Sequence, residues 1–286
     1  MQDVAGTHRL HGKTIGFVPT MGALHEGHLN LVKMCREEND IVVVSIYVNP
    51  AQFGPAEDLS QYPRDLDGDK GKLAKEDVDI LFLPDDSVMY PRGFSTFVEV
   101  RNLSEKLCGA FRPGHFKGVA TVVAKLFSIV NPVRAYFGQK DFQQTLVIKR
   151  LVRDLNGTVD VVTCPTIREA DGLAMSSRNA YLGPEERKAA AVIYRALGKG
   201  AEGVKSGIIK GSALRKVMLD TLRTEPLVSE IQYCSAYDPE SLDEVERINS
   251  EALLAIALKI GATRLIDNML VHRVSEAGHP ARCGGT

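Results

Sequence analysis

Between Thr14 and Cys164 the chain alternates short, β-branched apolar runs with stretches whose apolar residues recur every three to four positions. The runs Thr14–Val18, Ile41–Val48, Asp79–Leu83, Val133–Phe137 and Val159–Thr163 predict strands, and the stretches Glu26–Glu37, Asp65–Lys75, Val119–Val130 and Phe142–Leu155 predict helices between them. Ile41-Val42-Val43-Val44-Ser45-Ile46-Tyr47-Val48 is apolar on both faces, as a parallel strand covered on each side should be. The expectation is an α/β fold with a Rossmann-like, doubly wound parallel sheet that binds ligands where strands end and helices begin.

Beyond about Arg168 the texture changes. Helical stretches at Glu185–Ala201 and Gly211–Arg223 precede strand-like Ser229–Ala236, Leu253–Leu258 and Arg264–Leu270, the order of a compact α+β unit. The expected division is 1–168 for a nucleotide-binding domain, 169–272 for a smaller α+β domain, and 273–286 for a tail. Ser275 to Thr286, rich in Gly, Pro and Ala without apolar periodicity, reads as frayed or disordered.

Composition narrows the possibilities. With 44% apolar and 25% charged residues over 286 positions, the chain has ordinary globular composition. No run is apolar enough to cross a bilayer, and the opening Met1-Gln2-Asp3-Val4-Ala5-Gly6 lacks the order of a signal peptide, so a cytoplasmic protein is expected. A net charge of −1 from 35 basic and 36 acidic side chains leaves no footprint for nucleic acid or an anionic membrane. Cys35, Cys108, Cys164, Cys234 and Cys283 are scattered without a CxxC pair, and read as free thiols in a reducing compartment.

Against that background one stretch stands out. Pro19-Thr20-Met21-Gly22-Ala23-Leu24-His25-Glu26-Gly27-His28 follows the first strand and runs into the first helix. Gly22 and Gly27 let a ligand approach the backbone, and the free N–H groups of the first helical turn favour an anion. His25 and His28, three apart, lie on one side of that turn. An isolated pair at this spacing is more often filler, and a metal pair lacks a clustered third ligand. The position on the first strand-to-helix loop favours an anion site.

Three other stretches supply complementary chemistry. Met175-Ser176-Ser177-Arg178 places two hydroxyls beside a guanidinium fork at the junction of the two expected domains, where a lid would close; alone it also reads as a helix-capping loop. Gly138-Gln139-Lys140-Asp141 follows a strand: Lys140 can neutralise phosphate, and Asp141 can cap the next helix or meet a magnesium-bound water. Gln52, in Asn49-Pro50-Ala51-Gln52-Phe53, and Gln144 offer amides suited to the hydroxyl and carboxylate groups of a small ligand.

His25-Glu26-Gly27-His28 resembles the HxGH signature of the nucleotidylyltransferase superfamily, and Met175–Arg178 resembles its mobile KMSKS-type loop. PTMGALHEGH, NPAQF, YPRD (Tyr62–Asp65), RPGHFKGV (Arg112–Val119), FGQKDFQQ and READGLAMSSRN (Arg168–Asn179), in unbroken order from about residue 13 to 270, closely resemble the pantoate–β-alanine ligase family. The resemblance implies an enzyme that uses ATP and magnesium to adenylate (R)-pantoate, releases pyrophosphate, and lets β-alanine displace AMP.

Carried onto this chain, the resemblance implies that Met21, Gly22, Ala23, Leu24, His25, Glu26, Gly27 and His28 bind ATP, with His28 as proton donor and His25 and Lys140 beside it in catalysis. It implies Gly138, Gln139, Lys140 and Asp141 as an ATP-binding turn, Ile167 as an adenosine contact, and Met175, Ser176, Ser177 and Arg178 as a phosphate-binding loop. Gln52 matches a glutamine that touches both pantoate and β-alanine, and Gln144 matches a pantoate ligand. Asp69, as a metal residue, and His115 fall in matched segments with less weight. A homodimer is implied as well. Another adenylyltransferase with a different acceptor, or a nucleotide-binding regulator without catalysis, are the competing readings.

The chain departs from the family at three places. Gln139 stands where many relatives have Glu, Gly68 and Gly71 would each cost a helix about 1 kcal/mol relative to Ala, and the short stretch before the first strand leads us to expect no additional N-terminal element.

Overall fold

The computed structural model describes residues 1–55 and 57–273. The expected tail and Cys283 lie outside them. Five strands, β1 (Ile15–Thr20), β2 (Ile41–Ile46), β3 (Ile80–Phe82), β4 (Arg134–Gly138) and β5 (Asp160–Cys164), form one sheet in the order β3-β2-β1-β4-β5. All its pairings are parallel, with Ile15 opposite Ile41 and Arg134 opposite Asp160. From β1 the chain passes to β2 on one side, and from β4 to β5 on the other. The carboxyl ends of β1 and β4 therefore flank the point where strand order reverses, and a crevice opens there.

Side chains alternate between two apolar layers, as the pleat requires. Ile15, Phe17, Val43, Ala135 and Phe137 meet α6 (His115–Val130) and α7 (Phe142–Asp154). Val18, Val42, Val44 and Tyr136 meet α2 (Glu26–Glu38) and Leu73 of α3 (Leu66–Lys75). Helices thus cover both faces.

A second, antiparallel sheet joins β6 (Val228–Tyr237), β7 (Glu251–Ile260) and β8 (Thr263–His272) in sequence order. Leu254, Ile256 and Leu258 on one face of β7 pack in a core shared with α8 (Pro184–Ala190), α9 (Val192–Lys205) and α10 (Gly211–Leu222). Leu253 and Ala255, on the other face, join the core of the parallel sheet, so the two apolar interiors meet across β7.

Four local expectations change. A helix, α1 (Gln2–Leu10), precedes β1, contrary to the reading of the short N-terminal stretch. Only Ala5 of it is buried, so it carries no apolar stripe to read. The stretch Glu185–Ala201 is broken at Ala191, within an Ala-Ala-Ala-Val run buried all round. Helix α3 forms in spite of Gly68 and Gly71: Asp65 caps it by accepting from the Gly68 N–H at 3.0 Å, and buried Leu73 and Asp69 anchor it. That tertiary anchoring offsets a propensity cost of roughly 2 kcal/mol. Two single-turn helices, α4 (Asp86–Met89) and α5 (Cys108–Phe111), are too short for periodicity to reveal.

No helix among the described residues is long and apolar enough to cross a membrane. The described cysteines, Cys35, Cys108, Cys164 and Cys234, are buried and unpaired.

Candidate active site

The loop leaving β1 is built before any ligand arrives. Thr20 ends the strand with its hydroxyl on the Ser45 carbonyl at 2.8 Å, and the Gly22 N–H returns to that hydroxyl at 3.2 Å. Gly22 and Ala23 then take positive φ of 84° and 50°, which costs Ala23 backbone strain that a glycine escapes. Asp69 of α3, 1% exposed, holds the turn: its two carboxylate oxygens accept the Ala23 and Leu24 N–H groups at 2.8 and 2.7 Å. Lys72, one helical turn on, donates to the Leu24 carbonyl at 2.6 Å.

Asp69 was expected as a metal residue. Each of its oxygens accepts a backbone amide, so in this structure it clamps the loop. Among the described residues no group of three or more His, Cys, Asp and Glu side chains is arranged to hold a metal ion.

His25 is the N-cap of α2. The Gly27 N–H donates to His25 Nδ1 at 3.1 Å, and the His25 N–H donates to His28 Nδ1 at 3.3 Å. The two imidazoles therefore do the work that Ser and Glu do in a capping box. A Cβ on residue 27 would stand 2.8 Å from His25 Cε1, so the close cap requires glycine there. Because each Nδ1 accepts from the backbone, the hydrogen-bond network assigns the ring proton to Nε2 in both. The rings lie 4.1 Å apart, centre to centre.

Burial, then the charge of Lys140, lowers the pKa of His25 to about 4. Burial, then His25 and Lys140, holds His28 well below its ordinary value. At neutral pH both are uncharged Nε2–H donors. That is a setting for stabilising an anion without first giving up a proton.

A cavity of about 220 Å³ extends from this pair between the carboxyl ends of β1 and β4. It brings together Met21, His25, Gly27, His28, Gln52, Gly138, Lys140, Asp141, Gln144, Ile167, Met175, Ser176, Ser177 and Arg178. Gly22, Ala23, Leu24, Glu26, Gln139 and Asp69 do not line it. Leu24 is buried beneath the loop, Glu26 points to solvent at the helix start, and Gln139 presents its carbonyl to the Asn268 amide at 3.0 Å. Asp141 begins α7 without a side-chain capping bond, which leaves its carboxylate to the cavity.

At the far end Gln52 is 8% exposed, with its Oε1 accepting from Asn49 at 3.1 Å. His115 Nδ1 donates to the Gln52 carbonyl at 2.8 Å, and its Nε2 accepts from Arg112 at 3.1 Å. Burial, then Arg112, lowers the His115 pKa to about 4, so it too stays neutral. Gln144 lines the cavity, whereas adjacent Gln143 turns away to bond Cys108, Leu103 and Lys106. Val119, Val122 and Val123 of α6 form an apolar wall.

The 175–178 segment closes the other side. The Ser177 hydroxyl donates to the Ala23 carbonyl at 3.1 Å, tying the segment to the histidine loop. Arg178 forms a fork with Asp58, both bonds 2.9 Å, and lies over the Tyr62 ring. Burial raises the Asp58 pKa, but the bonds from Arg178 outweigh it and leave the carboxyl below its ordinary value. The neighbouring Glu57 pairs with Arg112 in the same way. Neither acid was singled out from sequence; the only signal was their place between the NPAQF and YPRD strings. Thr166, whose buried hydroxyl has no partner among the described residues, also lines the cavity and carried no sequence signal at all.

Comparison with known proteins fits this geometry. A profile of the family described as Pantoate-beta-alanine ligase matches residues 1–270. The chain is 56% identical to the pantothenate synthetase of Thermodesulfovibrio yellowstonii over 271 residues, 95% of this chain and 96% of the relative. A crystal structure of the pantothenate synthetase from Thermus thermophilus superposes with a TM-score of 0.89 at 48% identity, covering 93% of this chain and 96% of the other. The pantoate-beta-alanine ligase of Francisella tularensis, described as complexed with beta-gamma ATP and beta-alanine, superposes with a TM-score of 0.75 at 38% identity over 91% of this chain and 90% of its own.

Proposed function

The chain belongs to the pantoate–β-alanine ligase family, and from that premise we propose how its cavity joins the two substrates at the expense of ATP. A carboxylate is a poor electrophile, so pantoate cannot acylate an amine directly. In the proposed sequence a pantoate carboxylate oxygen attacks the α-phosphorus, the bond to the β-phosphate oxygen breaks, and pyrophosphate leaves. The β-alanine amine, in its unprotonated form, then attacks the acyl carbon, AMP leaves with the electrons of the carbon–oxygen bond, and the nitrogen gives up a proton to solvent.

The observation that carries the reading is the neutral His25–His28 pair, with both Nδ1 atoms engaged by backbone and both Nε2–H groups left for a ligand. They donate to the α-phosphate as negative charge grows on the departing pyrophosphate. His28 thus serves as a hydrogen-bond donor, not as an imidazolium acid. Lys140 adds positive charge, Ser176, Ser177 and Arg178 hold the distal phosphates, Gly138 and Met21 shape the nucleotide's bed, and Ile167 meets the adenosine. Pantoate bears two hydroxyls, a carboxylate and two methyl groups on one carbon. Gln52 and Gln144 suit the polar groups, and the valine wall of α6 suits the methyls.

Magnesium usually takes one or two protein carboxylates together with substrate phosphates. Asp141, the carboxylate lining the cavity beside Lys140, fits that donor set and would hold the ion, which neutralises phosphate charge when bound. The domain carrying residues 169–272 would act as the lid. The reading includes a cytoplasmic location, which the buried free thiols support, and a homodimer, which rests on the family resemblance.

The test follows the two steps separately. Pyrophosphate should appear from ATP with pantoate alone, and AMP only after β-alanine is added. Release with other carboxylic acids but not pantoate would reassign the acceptor, and no release with any acid would make the protein a nucleotide-binding regulator.

A further inference from the structure

A glutamine amide has a donor end and an acceptor end of nearly the same shape, so its hidden partners decide which end meets a ligand. For Gln52 the deciding partner is Asn49, 1% exposed, whose Nδ2 donates to Gln52 Oε1 at 3.1 Å and to the Gly118 carbonyl of α6 at 3.2 Å. Helix α6 comes this close because residue 118 is glycine; a Cβ there would collide with the Ala51 carbonyl. With Oε1 engaged, Gln52 turns its NH2 group toward Met21, whose Sδ stands 3.1 Å away and which lines the cavity beside it.

Asn49 has the same two-ended ambiguity, and a tyrosine resolves it. The Tyr90 hydroxyl donates to Asn49 Oδ1 at 2.6 Å, and the Ala51 N–H donates to the same atom at 3.3 Å. Turned over, Asn49 would set its NH2 against the Ala51 N–H and its oxygen against the Gly118 carbonyl, leaving buried groups unpaired. Tyr90 directly follows α4 and stands outside the cavity lining. Its ring is packed edge-on by Phe94 at 5.1 Å, with Tyr47 6.5 Å away, so the hydroxyl is aimed by apolar neighbours. Burial, then the charge of Asp86, raises its pKa to about 12, and at neutral pH the O–H stays a donor.

Building on the reading that Gln52 meets pantoate, we infer that Tyr90 is a positioning residue for adenylate formation: its hydroxyl fixes Asn49, and Asn49 fixes Gln52 with its amide hydrogens toward pantoate. The carboxylate and hydroxyl oxygens of pantoate accept such hydrogens. A Gln52 turned the other way would place its carbonyl oxygen against the carboxylate, and the relay excludes that state. Tyr90 touches no reacting atom, so its whole effect passes through Gln52.

The experiment is a double-mutant cycle on the full chain, read as pantoate-dependent exchange of labelled pyrophosphate into ATP, which needs no β-alanine. Tyr90→Phe removes the hydroxyl and keeps the ring, and should raise the half-saturating pantoate concentration about fivefold, the worth of one hydrogen bond. The value for ATP and the melting temperature should stay as in the unmodified protein. Gln52→Ala should raise the pantoate value about tenfold or more, and adding Tyr90→Phe to it should change nothing further, because the hydroxyl then has no amide to orient. An unchanged pantoate value in Tyr90→Phe, an equal rise for ATP, or the same rise with and without Gln52 would overturn the inference and leave the two-step reading standing. A Gln52→Ala variant with an unaltered pantoate value would remove Gln52 from the pantoate site and overturn both.

Discussion

The two loops that meet over the phosphate position are held by opposite kinds of force. The histidine loop at 20–28 hangs on hydrogen bonds between its backbone and a 1%-exposed carboxylate, a buried hydroxyl and two part-buried imidazole nitrogens. The 175–178 segment is anchored at its start by the Met175 N–H on the Ile167 carbonyl at 3.0 Å, and beyond that it hangs on side chains, chiefly a half-buried ion pair between Arg178 and Asp58 and one serine hydroxyl. The first arrangement fixes donors in advance, so little reorganisation remains for the moment of reaction. In the second, phosphate oxygens can replace Asp58 in the same guanidinium fork, because carboxylate and phosphate present similar geometry. One loop is preorganised, and the other is held by a partner that a ligand can exchange.

Perturbing each side should separate them. The largest effect is expected from His28→Ala, which removes a donor from the rigid loop: adenylate formation, followed as pyrophosphate release, should fall by ~10²- to 10³-fold. The melting temperature should move little, since among the described residues the ring's hydrogen bond is to one N–H. A variant with near-normal pyrophosphate release would remove His28 from the chemistry.

Asp69→Ala comes next, because it strands two backbone N–H groups and releases the strained turn at Ala23. Unfolding in urea should show a loss of about 2–4 kcal/mol, with a raised KM for ATP. Intact stability would mean the turn holds itself.

The smallest effect is expected on the exchangeable side. Asp58→Asn should cost about 1 kcal/mol, a loss diminished by salt, because the pair keeps about a quarter of its side-chain surface in solvent and the amide oxygen can still accept from Arg178. A loss as large as that of Asp69→Ala would erase the distinction between the loops.

Much of this arrangement is legible in the chain. Continuous β-branched apolar runs locate the parallel strands, which are covered on both faces, period-3.6 patterns locate the longer helices, and the glycines and histidines of residues 22–28 sit where a parallel sheet binds anions. What escapes is long-range pairing. Nothing near Asp69 tells that it accepts from residues 23 and 24, because a carboxylate's partners are set by tertiary approach. Asp58 and Arg178, 120 positions apart, meet only once the fold is made. Helix α1 is invisible for the opposite reason: with Ala5 alone buried, it has no stripe to betray it.

The central claim is that the histidine pair is set as two neutral Nε2–H donors before ATP arrives, and nitrogen-15 NMR of the histidine-labelled free protein tests it most directly. The account predicts, for His25 and His28 at pH 7, an unprotonated Nδ1 and a protonated Nε2, with His25 gaining its second proton only near pH 4. The sign carries to stability: as pH falls from about 6.5 toward 4, the unfolded chain binds protons that the folded one refuses, so stability is full above that window and declines through it. Either ring found doubly protonated at pH 7, or carrying its proton on Nδ1, would contradict the account.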